Sequence, residues 1–487
     1  MMRPLSARPL ARLGGSRWVQ RPSFGAARSF SSTIRRRQSE GEGERKWSTP
    51  LAKQLFEAIS ITGPVPLASY MRMCLTGDLG GYYTGAIGEG RDQFGAKGDF
   101  VTSPEISQIF GELIGIWFLA EWISQGRPKQ GVQLIEVGPG RGTLMDDMLR
   151  TIQRFPAMSN SIDAIYMVEA SRELRDAQKQ LLCGPDASSS ESKAGFHSPS
   201  KYNGKQIVWT DTIKSIPIEP DKTPLIIAHE FFDALPIHSF QSAPAPPPQN
   251  KSSASPQPQQ PSHDTKPTME WREMMVSPTP PGATHADLGT PKLEQHEPPP
   301  SSNSSSPREP RGTHASSPSL RPDASIYATD FAARIGGSPQ HPKPKPSGAA
   351  LILDYGTSDT IPINSLRGIR QHRRVSPFSA PGLVDLSADV DFTAIAEVAT
   401  LASEGVEVHG PINQGDFLEL MGIRERAEML TKAPGVDKET AGKIDGAWKR
   451  LVDKGPDGMG KLYKALAILP ENDGRRRPVG FGGDVNA

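Results

Sequence analysis

Glu136, Gly138, Gly140 and Gly142 stand in the run "EVGPGRG", where an apolar stretch ends and an amphipathic one begins. A strand that empties through a glycine turn into a helix N-terminus brings backbone amides close to a ligand. Glycine permits that approach because it has no Cβ. Two further acids end the next apolar runs: Glu169 in "MVEAS", 31 positions after Gly138, and Asp211 in "VWTDT". Dinucleotide sites use Gly-x-Gly-x-x-Gly with an acid about twenty positions on. Here the glycines are spaced Gly-x-Gly-x-Gly, so a dinucleotide oxidoreductase fits poorly and is kept as one alternative. More carboxylates end later apolar runs, Glu230 and Asp233 in "HEFFDALP" and Asp354 in "LILDYG". The turn by itself names a cradle and not its occupant.

The elements that must hold these residues are legible from periodicity. "VQLIEVG", "AIYMVEA", "QIVWTD", "PLIIAHEF" and "AALILDYG" are short apolar runs ending at polar or glycine residues, with helical patterns between them. Such alternation predicts an α/β fold whose parallel sheet is covered on both faces, with ligand at the carboxyl ends of the strands. Upstream, the spacing of Leu51, Leu55 and Ile59, and then of Leu67, Tyr70, Met71 and Leu75, predicts two amphipathic helices broken at Thr62 to Pro64. A third is expected over "SPEISQIFGELIGIWFLAEW", with Ser103 as cap and Pro104 in the first turn.

Composition limits the folded part. The chain has 487 residues with 47 Gly, 47 Pro and a hydrophobic fraction of 36%, so much of it is expected to lie outside a packed core. Ala243 to Thr268 and Ser277 to Ser325 are Pro, Ser, Gln and His tracts with too little apolar surface to fold. "MEWREMMV", between them, alternates like a strand, and Cys183 to Gly195 reads as a smaller insertion of the same kind. The N-terminal segment is Arg- and Ser-rich, and its first acid is Glu40, the pattern of a mitochondrial leader; "RSFSS" suits cleavage after Phe30. Removing residues 1–30 takes six of 55 basic residues and leaves 49 against 54 acids, a net charge of −5. That charge is a poor match for nucleic acid. No apolar run is long enough for a membrane span, and Cys74 and Cys183 read as isolated thiols.

The acid spacing resembles that of the class I methyltransferases, and several runs together resemble one group within them. "GDFVTSPEISQIFGELIGIWF", "EVGPGRGTLMDDMLR", "MVEASRELRDAQ", "AHEFFDALPIHSF", "LILDYG" and "PGLVDLSADVDF" are similar to the MidA-like protein arginine methyltransferases that assist assembly of mitochondrial respiratory complex I. The resemblance covers most of Ser48 to Pro470. It implies a Rossmann-like methyltransferase fold, S-adenosylmethionine as cofactor, and symmetric dimethylation of an arginine on a complex I subunit in the mitochondrial matrix. It implies a cofactor site of Glu136, Gly138, Gly140, Gly142, Glu169, Asp211 and Asp99, with Glu169 on the ribose hydroxyls and Asp211 near the adenine amine. Two vicinal hydroxyls suit one carboxylate, although Glu169 would equally cap the helix from Ser171.

An arginine acceptor needs acids, because a guanidinium is planar, permanently protonated and delocalises its lone pair. Paired carboxylates grip it bidentately and aim one nitrogen. Glu230, Asp233 and Asp354 are the candidates, with Glu230 the first choice. His229 stands where the family usually has Asn. Asp385, Asp389 and Asp391 either extend an acidic groove or, the favoured reading, cap the helix near Phe392; Ser103 is either a lid element or a cap. His372 and His409 read as structural. A non-catalytic assembly chaperone that keeps the fold is the main alternative function. The chain thus divides into a leader (1–45), a helical region (46–130), a core with the glycine loop (131–240), an insertion (241–325) holding one strand (269–276), the remaining core with a helical part (326–470) and a disordered tail (471–487).

Overall fold

The computed structural model describes residues 47–85, 98–245, 268–278, 294–296, 319–358 and 360–482. The expected leader and most of the Pro/Ser tracts lie outside the described residues. The first two helices are where periodicity puts them, α1 (Pro50–Thr62) and α2 (Leu67–Thr76), with all seven spacing residues buried. Gly63, at φ +88°, ends α1 in a conformation that a side chain disfavours, and Pro64 follows.

The third helix differs from its expectation. It is split into a single turn, α3 (Ser103–Ile106), and a long helix, α4 (Gln108–Ser124). Ser107 is extended between them and caps α4, its Oγ accepting the Ile109 N–H at 3.3 Å. Thr102, not Ser103, caps α3, and Glu105 accepts the Thr102 N–H at 3.3 Å. The Ser103 N–H is thereby left to point at Glu230 Oε1, 3.4 Å away.

The central sheet starts with β1 (Val132–Val137), followed by α5 (Thr143–Ile152), β2 (Ile162–Val168), α6 (Arg172–Cys183), β3 (Gln206–Thr210) and β4 (Thr223–His229). The chain leaves it for β5 (His238–Pro244) and β6 (Met269–Val276), which pair antiparallel, and returns through α7 (Pro322–Gly336) to β7 (Ala349–Thr357). A small antiparallel sheet of β8 (Arg367–Arg370), β9 (Arg373–Val375) and β10 (Asp385–Ser387) comes next. Helix α8 (Phe392–Ala402) then leads to β11 (Val406–Asn413) and β12 (Tyr463–Pro470), which extend the central sheet antiparallel beside β7.

The five parallel strands lie in the order β7-β4-β1-β2-β3. Both faces of these strands are apolar, as a doubly covered parallel sheet requires. Leu134, Leu225, Ile227, Leu351 and Leu353 pack under α4 and α5, while the alternate residues Ile135, Val137, Ile226, Ala228 and Ile352 pack against Phe331 of α7 and Phe392 of α8. A third cluster joins α1 and α2 to the smaller sheets through Leu51, Leu67, Tyr70, Met71, Ile237, Val276 and Leu386.

Three boundaries depart from expectation. The insertion ends before Ser325: Ser319–Leu320 already pair with β5, and α7 starts at Pro322. The Cys183 to Gly195 stretch is partly ordered, since strands Ser190–Ser192 and Gly195–Pro199 form a hairpin on the edge at β3. Residues 471–482 are not a free tail. Val479 O accepts the Trp117 indole N–H at 3.0 Å, Arg476 pairs with buried Glu121, and Phe481 meets Phe417 edge to face at 5.6 Å. The strand at Met269–Val276 is present as expected, but it belongs to the smaller sheet, between β5 and Val65–Pro66.

Candidate methyl-transfer site

The order 7-4-1-2-3 places the topological switch between β1 and β4, where connections leave in opposite directions and open a crevice. Gly138 follows β1, Glu169 follows β2 and Glu230 follows β4. A cavity of about 710 Å³ lies there, and Glu136, Gly138, Gly140, Glu169, Asp211, Glu230, Asp233 and Asp99 all line it. Gly142 and Asp354 do not.

One half is a glycine cradle walled by acids. Gly138 adopts φ +66° and Gly140 φ +53°, and a Cβ on Gly138 would sit 2.6 Å from Phe231 Cδ2. Gly142 has another duty: at φ +82° it is the N-cap of α5, and its added Cβ would meet Gln178 Cγ at 3.1 Å. Glu136 is 2% exposed and its Oε2 has no hydrogen-bond partner. Burial raises its pKa well above the carboxylate range, with Glu169 adding to the effect. A buried polar atom left unpaired at the wall of a cavity is costly without a partner.

Glu169 Oε1 accepts the Ser171 N–H at 2.8 Å, but the helix cap itself is Ser171 Oγ. Burial pushes the Glu169 carboxyl up to about 7, opposed by the Ser171 N–H and Gln178. Asp211 is paired with Arg175, whose Nε also donates to Glu169 O at 2.7 Å. Sequence reading missed Gln178. Its Nε2 donates to Gly140 O at 2.6 Å and lies 3.4 Å from Glu169 Oε2, while its Oε1 accepts the Trp209 indole N–H at 2.9 Å. The signal was available: Gln178 is a polar residue in the apolar stripe Leu174, Gln178, Leu182, all three buried.

Acids of the opposite half come from two loops. Glu230 sits at φ +48°, a left-handed conformation costing a side-chain-bearing residue roughly 1–2 kcal/mol, and its N–H donates to Leu353 O at 2.9 Å. Burial, then Asp233 and Asp354, raise its pKa well above the usual range. Asp233 shares one oxygen with the Tyr355 hydroxyl, and its Oδ1 is buried without a partner. Asp354 Oδ2 instead lies beneath the loop, accepting the N–H groups of Phe231, Phe232 and Asp233 at 3.1, 2.8 and 3.2 Å. It anchors the loop and does not face the cavity.

His229 Nε2 is 3.2 Å from Glu230 Oε1, and burial lowers its pKa to about 3, so the imidazole is neutral. Of the three later acids, Asp391 caps α8 through the Ala394 N–H at 2.9 Å and Asp389 pairs with Arg367 at 2.6 Å. Asp385 lines the cavity, accepts the Tyr83 hydroxyl at 2.9 Å and is pushed up to about 7 by burial and Asp233. Asp99 holds the turn of the small sheet: its Oδ1 accepts the Gln371 N–H at 2.7 Å and its carbonyl the His372 N–H at 3.0 Å.

A buried arginine joins the two acid loops. Arg321 donates to the carbonyls of Phe232, Asp233 and Leu235 on one and of Ala388 and Asp389 on the other. The sequence places it inside the Ser277 to Ser325 tract, where no side-chain pattern marks it.

The family model described as "Putative S-adenosyl-L-methionine-dependent methyltransferase" matches residues 113–412, a span that includes every strand of this rim. The chain belongs to that methyltransferase family. It is 33% identical to the mitochondrial protein arginine methyltransferase NDUFAF7 of Xenopus laevis over 450 residues, covering 89% of this chain and 88% of that protein. It is 32% identical to the Homo sapiens protein of the same name, covering 87% and 84%. A Burkholderia thailandensis protein crystallised with S-adenosyl-homocysteine shares the fold at a TM-score of 0.60, with 21% identity and coverage of 90% and 93%. The residues present suit the family's cofactor. The glycine backbone clears space, and buried Glu136 and Glu169 offer acceptors to a ligand rich in N–H and O–H donors.

Proposed function

We propose that this methyltransferase transfers a methyl group to a guanidinium nitrogen of an arginine in a subunit of respiratory complex I, forming symmetric dimethylarginine in the mitochondrial matrix. The observation that carries this reading is the pairing of two halves in one cavity: a glycine cradle walled by the acceptors Glu136 and Glu169 at β1 and β2, and the carboxylates of Glu230 and Asp233 beyond β4. The names of the relatives supply the arginine and the mitochondrion.

When bound, S-adenosylmethionine supplies an electrophilic sulfonium methyl. Glu136 and Glu169 hold the nucleoside side, and Gln178 keeps the glycine loop and Glu169 in register. Glu230 and Asp233 take the incoming guanidinium, whose positive charge favours their ionised forms. Methylation of the guanidinium nitrogen would release a proton from it. Glu230 is suited to accept it, because burial beside Asp233 and Asp354 favours the protonated carboxyl. His229, neutral at 3.2 Å, does not compete for that proton. Asp354 and Arg321 act by positioning the loop.

The test incubates full-length protein with methyl-labelled cofactor and unfolded complex I subunits, followed by mass spectrometry of labelled arginines. Label is expected on arginine and absent with Glu230→Gln, while S-adenosyl-homocysteine binding persists in that variant. Absence of transfer by the unaltered protein would refute the reading, and monomethyl or asymmetric products would refute its symmetric part.

A further inference from the structure

Around the acidic floor the cavity mouth is basic. The hairpin of β8 and β9 carries "RGIRQHRRV", and its turn, Gln371 and His372 at φ +51° and +58°, is pinned to the site by Asp99. Arg370 and Arg373 stand directly opposite each other across the hairpin, a like-charge pair that disfavours the strand pairing. Neither they nor Arg374 makes an ion pair among the described residues. His372, Arg373 and Arg374 are exposed, and His372 and Arg374 line the cavity, as does exposed Arg450 on another element. Uncompensated charge held at a mouth by a dedicated hydrogen bond steers partners of the opposite sign.

Building on the arginine reading above, we infer that the β8–β9 hairpin selects polypeptide segments in which the acceptor arginine is flanked by Asp or Glu. One cationic side chain descends to Asp233, Asp385 and Glu230, while its acidic neighbours remain at the rim with Arg373 and Arg374. Arginine-rich tails are disfavoured, because every residue beside the acceptor would meet like charge. The same rim suits a polynucleotide less well, since the floor is acidic and "RGIRQHRRV" has no Phe, Tyr or Trp for bases to stack on.

The experiment measures binding of fluorescent peptides to the full chain saturated with S-adenosyl-homocysteine. The peptides share a central arginine flanked by Glu, Gly or Lys, and binding is read at low and high ionic strength. Glu-flanked peptide is expected to bind roughly tenfold tighter than Gly-flanked at low salt, with Lys-flanked weakest and the spread collapsing as salt rises. The double variant Arg373→Glu/Arg374→Glu should invert the order, with unchanged S-adenosyl-homocysteine affinity as the check on folding. The inference is overturned if no peptide binds, if Lys-flanked peptide binds best, if the reversal leaves the order intact, or if the hairpin serves a single-stranded oligoribonucleotide and not the peptides. Methyl transfer is measured separately: the expected binding order without any transfer would sink the enzymatic reading and leave the rim's preference standing.

Discussion

Glu169 offers a quantitative handle on the cofactor site. Its carboxyl titrates at about 7 in the ligand-free protein because it is buried. To accept two ribose hydroxyls it must be ionised, so S-adenosyl-homocysteine should bind the deprotonated form. The apparent Kd then rises with the protonated fraction: about twofold at the pKa, roughly tenfold one unit below it and roughly a hundredfold two units below. Above about pH 8 the affinity should level off. Calorimetric titrations at several pH values, each in buffers of different ionisation enthalpy, read both the affinity and the proton released on binding. Near pH 6 close to one proton should leave per ligand, and Glu169→Gln should bind more weakly but with a flat profile. A flat wild-type profile between pH 6 and 8, or proton uptake, would refute the idea that an ionised Glu169 holds the ligand.

The same ionisation has a cost for the empty protein. Glu169 and Asp385 both titrate near 7 when folded, above their unfolded values, so the stability they contribute is complete below the unfolded pKa and is lost as pH rises through about 7. The Tm of the ligand-free protein should therefore fall between pH 5 and 8 by differential scanning fluorimetry; a rising Tm would count against both assignments. Gly138→Ala places a Cβ 2.6 Å from Phe231 at φ +66°, which should cost at least about 1–2 kcal/mol and weaken S-adenosyl-homocysteine by more than tenfold; unchanged calorimetric affinity would contradict the cradle. In Asp354→Asn an amide has one acceptor oxygen for the four backbone N–H groups that Asp354 now receives. Urea unfolding should show a loss of about 2–3 kcal/mol, and wild-type stability would mean the loop is held otherwise. Arg321→Met removes the guanidinium donors from five carbonyls, of which Phe232 O and Asp233 O keep a backbone N–H; methyl transfer should collapse while S-adenosyl-homocysteine affinity stays within about threefold, and an equal loss of both would reduce Arg321 to a general stabiliser.

Strand and helix positions were legible because burial on a regular backbone imposes a period, and the five apolar runs could be aligned without knowing their order. Chemistry at the strand ends was only half legible. Glu230 and Asp354 look alike in sequence, each an acid closing a run of aliphatic residues, and the sheet register sets Leu353 beside His229 so that both acids fall at the same level. What separates them is the turn that follows, because they share strand parity: Ile226 and Ala228 pack on the same face as Ala350 and Ile352. Asp354 continues the face of Ala350 and Ile352, toward α7, and so falls under the loop it anchors. Glu230 leaves the strand at positive φ and reaches the cavity. Nothing in the two aliphatic runs marks that difference, since it lies in the backbone turn after His229.

Arg321 was illegible for a different reason. Its partners are carbonyl oxygens, which every residue has, so no pattern of side chains in the sequence marks the loops it joins. Its position also carries the argument about the insertion. The Pro/Ser tract returns to the core as Ser319–Leu320 pairing with β5, and the next residue bridges the loops of Asp233 and Asp389. The two acid loops are 155 residues apart in the chain when counted from Asp233 to Ala388, yet Arg321 and the Ala388 N–H to Asp233 O bond, at 3.1 Å, fix them together. Length in the tract is therefore tolerated because both of its ends are tied down: loop entropy grows only slowly with length. A chain shortened within residues 246–267 and 297–318, keeping β6 and Arg321, should retain S-adenosyl-homocysteine affinity and methyl transfer within about threefold, whereas a deletion that also takes Arg321 should abolish transfer. Loss of transfer in the first of these would show that the tract acts on the site directly and that Arg321 is not sufficient to tie the two loops.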